Sequence, residues 1–172
     1  EDAVGSMVQA TLDRFGRIDV LANTVGGYRA GTRVHETPLE TWDFVLNLNA
    51  RTAFIVSRAV VPAMLDQKSG RIIHVSSRAG LQGGSRHAAQ SVSKSAVIRL
   101  TETLSAELKR SGINVNCVLP GTIDTPQNRA DMPNAKTDRW VQPEEVADVI
   151  AFLASDAARA VTGGAIPVYG KG

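Results

Sequence analysis

A single cysteine, Cys117, in 172 residues has no partner for an internal disulfide, which fits a reducing compartment. It lies in the apolar run Ile113-Asn114-Val115-Asn116-Cys117-Val118-Leu119, the setting of a buried and inert thiol. Charge of one sign is also lacking. Nineteen basic residues face seventeen acidic ones, and the net +2 is scattered, so there is no electrostatic footprint for nucleic acid. No histidine, cysteine or carboxylate cluster has metal-ligand spacing, and no metal site is expected. No apolar run approaches the ~18 residues of a membrane span, and no signal-peptide pattern opens the sequence, so a cytoplasmic protein without a membrane partner is expected. The rest is ordinary: 43% hydrophobic, 21% charged, and a length suited to one domain, residues 1–172, with a real core.

The apolar pattern alternates between two periods. Val4, Met7, Val8, Leu12 and Phe15 make a helical stripe that stops at Gly16. Ile18 to Ala22 reads as a short strand, followed by a glycine-rich loop from Gly26 to Gly31. Thr37-Pro38-Leu39-Glu40 has the form of a capping box with proline at the first helical position, opening a helix to about Leu65. A buried strand is expected over 71–76, a helix from about Ala88 to Arg110, and a strand over 113–118 that Pro120-Gly121 ends sharply. Residues 122–141 are polar and irregular and read as a mobile flap. Pro143 opens a last helix, and Ala165 to Val168 forms a final strand that Pro167 confines to a sheet edge.

Strands alternating with helices imply an α/β fold: a doubly wound parallel sheet with helices on both faces. Ligands bind such sheets outside the carboxyl ends of the strands. Those ends carry Asn23, Ser77 and Pro120-Gly121, so polar groups converge on one edge, and Lys94 lies on the helix that follows Ser77.

The order and spacing of these pieces resemble the short-chain dehydrogenase/reductase family over essentially the whole chain. Phe15-Gly16-Arg17-Ile18-Asp19-Val20-Leu21 resembles the approach to the family's fourth strand. Asn23-Thr24-Val25-Gly26 stands where the family has an Asn-Asn-Ala-Gly turn, Asn47-Leu48-Asn49-Ala50 where it supplies its active-site asparagine, and Pro120-Gly121-Thr122-Ile123-Asp124-Thr125 where it holds the nicotinamide amide. Ser77 lies thirteen residues before position 90, as the family's serine lies before its tyrosine. The resemblance implies a C-terminal part of a Rossmann-like fold, an NAD(P) cofactor, a small carbonyl or alcohol substrate, and a homo-oligomer. It implies Ser77, Lys94 and Asn49 as catalytic residues, with Asn23, Gly26, Lys94, Pro120, Gly121, Ile123 and Thr125 towards the cofactor.

Two departures stand out. The family's first βαβαβ portion, with its phosphate-binding turn and the residue that selects NAD or NADP, has no counterpart before Glu1, so the chain resembles a truncated member, and a chain that binds no cofactor stays open as the alternative to NAD(P). The loop from Gly26 to Gly31 does not replace that turn, because residues 32–38 separate it from the next helix. The strand over 18–23 then becomes an exposed edge, expected to pair with another chain or a separate fragment. Second, Gln90 occupies the tyrosine position; its amide donates a hydrogen bond but does not titrate near neutrality. Tyr28, beyond the first strand, is a candidate stand-in. Two alternatives stay open: a non-catalytic relative acting as an assembly or binding partner, and a hydrolase using Ser77 with His87. The latter lacks a Gly-x-Ser-x-Gly elbow, and His74 points to the opposite strand face from Ser77.

Overall fold

The computed structural model describes residues 1–171. Its elements are α1 (Asp2–Phe15), β1 (Val20–Asn23), α2 (Leu39–Leu46), α3 (Thr52–Gln67), β2 (Gly70–Val75), α4 (Ala88–Leu108), β3 (Ile113–Pro120), α5 (Pro126–Asp131), α6 (Pro143–Ala154) and β4 (Ala165–Val168). The four strands are parallel in the order β1-β2-β3-β4. All carboxyl ends therefore open on one edge, and β4 lies at the sheet margin, where Pro167 costs no ladder bond.

The pleat decides which helix each strand residue meets. Ile72 packs with Val60 and Met64 of α3 and Leu108 of α4, while its neighbour Ile73 packs with Val146 and Leu153 of α6. All eight residues of β3 are buried, as a central strand covered on both faces requires. β1 is half covered and lies at the other margin. It begins later than the expected Ile18, because the Ile18 backbone is clamped by a side chain. The Gln67 amide accepts from Ile18 N (2.8 Å) and donates to Ile18 O (2.9 Å), copying a strand neighbour.

Other expectations change too. The Thr37 capping box does not form: Pro38 is the N-cap, and the Thr37 hydroxyl donates instead to Arg33 O (2.8 Å). The expected single helix to Leu65 is broken at Asn47–Arg51 by one π turn between α2 and α3. Contrary to the expectation that no apolar run approaches a membrane span, the Leu39–Gln67 run is long and apolar enough to cross one by length and composition alone. Its contacts with α1, α4 and the sheet are those of a layer helix. The segment 122–141 is less irregular than its composition suggests. It holds α5, whose N-cap Thr125 accepts from Asn128 N (3.1 Å), and a bidentate Arg129–Asp124 pair. Ile123 bridges Val141, which fastens both ends of the segment together.

Candidate active site

The end of β2 is pinned to α4 around Lys94. The Ser76 hydroxyl donates to Lys94 O (2.7 Å), the Lys94 ammonium donates to Val75 O (3.1 Å), and a side chain on Gly80 would collide with the Lys94 carbonyl (2.8 Å). Lys94 is only 6% exposed and has no carboxylate partner among the described residues. Burial lowers its pKa to about 8. An ammonium has three donors, and one is used.

Ser77 follows in extended backbone, two residues past β2, and Gln90 lies one helical turn before Lys94. The Ser77 hydroxyl and Gln90 Oε1 are both buried without a hydrogen-bond partner, as is the Ser91 hydroxyl. Each such atom costs about 1–3 kcal/mol unless a ligand or water satisfies it.

Asn49 sits in the π turn, 1% exposed, with its amide fully engaged. Its Oδ1 accepts from Gly27 N (2.9 Å), and its Nδ2 donates to Gly27 O (3.1 Å) and to the Ser93 hydroxyl (3.0 Å). It therefore holds the loop after β1 against α4. A Cβ on Gly26 would lie 2.9 Å from Asn49 Oδ1 and 3.0 Å from Lys94 Nζ, so Gly26 leaves open the space in front of the ammonium. Asn49→Ala strands the Gly27 backbone and is expected to destabilise the fold by roughly 2 kcal/mol or more in denaturant melts. A loss below 0.5 kcal/mol would mean that the clamp is idle.

Asn23 ends β1 at the same edge, but its side chain is spent on the fold. It accepts from Val25 N (3.3 Å) and lies 3.4 Å from His74 Nδ1. The Ser57 hydroxyl donates to Ala53 O, so the His74 Nε2–H must donate to Ser57 (3.1 Å) and Nδ1 accepts from Asn23. Burial holds His74 neutral, its pKa lowered to about 4. This Asn23–His74–Ser57 chain was not foreseen from the sequence. Its signal was an Asn and a His at adjacent strand positions with a Ser on the covering helix.

Pro120-Gly121 closes β3, with Gly121 N donating to Val168 O (2.9 Å), and Ile123 and Thr125 follow within the fastened segment. Tyr28 is 65% exposed and bonds His87 Nε2 (2.9 Å), whose Nδ1 is 2.7 Å from Ser85 O. Both histidines near Ser77 in sequence are thus engaged elsewhere, and the Ser77 hydrolase reading finds no base.

The family model described as enoyl-(acyl carrier protein) reductase matches residues 1–170. The 3-oxoacyl-[acyl-carrier-protein] reductase of Synechocystis is 42% identical over 98% of this chain and 70% of its own. A protein of Rattus norvegicus, dehydrogenase/reductase SDR family member 6, is 40% identical over 90% of this chain and 69% of its own. The chain belongs to the short-chain dehydrogenase/reductase family. Among solved structures, ElxO with NADP bound superposes with a TM-score of 0.90 at 27% identity, over 96% of this chain and 71% of that one. NAD+-bound xylitol dehydrogenase gives 0.87 at 31% identity, over 98% of this chain and 74% of that one. The parallel sheet and its helices are those of the family's Rossmann-like fold.

Proposed function

We propose that the chain carries the carbonyl/alcohol site of an NAD(P)-linked oxidoreductase in which the proton-transfer position has become a neutral amide. The observation that carries this reading is that Ser77 Oγ, two residues past β2, and Gln90 Oε1, one helical turn before Lys94, are buried without partners, while the buried Lys94 ammonium at the end of β2 has two donors unused. Relatives named as a 3-oxoacyl reductase and a xylitol dehydrogenase support a reacting group at the carbonyl or alcohol level.

The residues present fit the nicotinamide end of such a cofactor. Lys94 offers free donors, Gly26 leaves space before them, and Pro120, Gly121, Ile123 and Thr125 line the same sheet edge. A nicotinamide bound there supplies or removes the hydride. Ser77 donates a hydrogen bond to the substrate oxygen, and the Gln90 amide, fixed by burial, offers a second contact. Neither moves a proton near neutrality; Lys94, with its pKa of about 8, is the titratable group left to do so.

A second reading is favoured by Gln90 itself: a relative that binds its ligand without turning it over. Reduced nicotinamide mononucleotide, which lacks the adenosine half, probes the residues described here. We expect it to quench Trp42 or Trp140 fluorescence saturably. Turnover of simple carbonyls is expected to fall about 10²–10⁴-fold below that of a tyrosine-bearing relative. Binding with no detectable turnover would favour the second reading, and no binding of this probe or of either dinucleotide would sink the redox reading.

A further inference from the structure

A cavity of about 450 Å³ opens beside the site, lined among others by Tyr28, Arg29, Thr37, Arg86, Ala89 and Asp131. Ala88 and Ala89 are the first residues of α4, so the cavity lies at the N-terminal end of the helix that carries Gln90 and Lys94. Two guanidinium groups border it, and neither forms an ion pair among the described residues. Arg29 stacks on the Phe44 ring at 4.2 Å, which orients its fork and leaves the N–H edges free. Arg86 is held with a positive φ of 62°, its carbonyl accepting from Gly31 N (2.9 Å).

The backbone adds charge of the same sign. Thr37, Pro38 and Thr41 line the cavity at the start of α2, and Ala88 and Ala89 line it at the start of α4. Neither Pro38 nor His87, the two N-caps, caps its helix with a side chain, so the opening amides of both helices are left to a ligand or solvent. Against this, Asp131 contributes one carboxylate, bonded to Gln127 (2.9 Å). Two arginines and two positive helix ends outweigh it.

We propose that this cavity binds an anionic group (carboxylate, phosphate or sulfonate) carried by the substrate away from its carbonyl or alcohol. That the anion belongs to a redox substrate rests on the oxidoreductase reading above; the anion site itself does not. The neighbouring 310 Å³ cavity, lined by Arg78 and His87, carries no comparable case, since it has one guanidinium in its lining where the first has two.

Saturation-transfer NMR at low salt tests it with the keto acid 4-oxopentanoate against the uncharged 2-hexanone. The acid is expected to bind about tenfold tighter or better, since charge-assisted contacts exceed neutral ones. The double variant Arg29→Gln/Arg86→Asn should erase that preference without changing binding of the ketone; asparagine tolerates the left-handed backbone at position 86. Asp131→Asn should tighten the acid about two- to fivefold, the scale of one exposed charge. Propyl phosphate and propanesulfonate, run alongside, report which oxyanion is preferred. Equal affinity for acid and ketone, or a preference that survives loss of both arginines, overturns the proposal. Anion selectivity retained in a chain that fails to bind nicotinamide mononucleotide would instead uphold the anion site and remove the redox reading.

Discussion

Gln90→Tyr is expected to create or raise nicotinamide-dependent carbonyl turnover by about 10²–10⁴-fold, the usual contribution of a positioned general acid or base. The position is already prepared for it. Residue 90 is buried one turn before Lys94, and the unpartnered Gln90 Oε1 marks where the polar tip of the side chain meets no protein group. An ammonium one turn away stabilises a phenolate, lowering the pKa of a tyrosine there towards the working range. Lys94 brings no competing carboxylate, so its charge is available for that purpose. The pH–rate profile of the variant should gain a limb that the parent lacks. A variant that folds, binds the nicotinamide probe and still turns nothing over would show that more than the proton donor has been lost.

Lys94→Met should make the protein more stable while abolishing binding of the nicotinamide probe. Holding a buried lysine at a pKa of about 8 rather than 10.5 costs about 3 kcal/mol below pH 8, at 1.36 kcal/mol per unit. Methionine fills similar space without charge but leaves Val75 O without its donor, a loss of about 1 kcal/mol. The net gain is about 2 kcal/mol, or ~4–8 °C in Tm for a chain of this size. The sign with pH follows from the depressed value. Between about pH 8 and 10.5 the unfolded chain holds more protons than the folded one, so parent stability climbs with pH across that window. The advantage of the variant should shrink over the same window and be largest below pH 8. An advantage independent of pH, or a variant less stable than the parent at pH 7, would mean that the ammonium is better solvated than its burial implies.

Much of the layer order and the polar edge was readable because both rest on short-range periodicity. The adjacent pair Ile72-Ile73 and the stretch Val115 to Leu119, apolar but for Asn116, settle which faces are covered, and Pro120-Gly121 settles where a strand must stop. Asn23 and Ser77 reach one edge because parallel strands align their carboxyl ends, and Lys94 reaches it from α4 through its bond to Val75 O. What stayed hidden depends on pairs distant in sequence. Gln67 clamping Ile18, Asn49 latching Gly27, and His74 between Asn23 and Ser57 each join residues 17 to 51 positions apart, and no window along the chain contains both members. The Thr37 capping box misled for the opposite reason. It is a local motif, overruled by an equally local bond to Arg33 O. The short helix within 122–141 is hidden by a polar composition that matches a loose loop, although the Asp124–Arg129 pair and the Thr125 cap need that same composition.

The π turn at Asn47–Arg51 changes the phase of everything after it. One inserted residue advances a helix by about 100°, so the side of α2 that meets α4 is not continued by the side of α3 that meets the sheet. A single stretch of chain thereby serves two neighbours lying in different directions, and Asn49 is set at the point of rotation. Deleting one residue there would restore a uniform screw and swing the amide off Gly27, uncoupling the glycine turn from the helix that bears the ammonium. The geometry of this polar edge is thus tied to the length of the helical run as much as to the identity of its side chains.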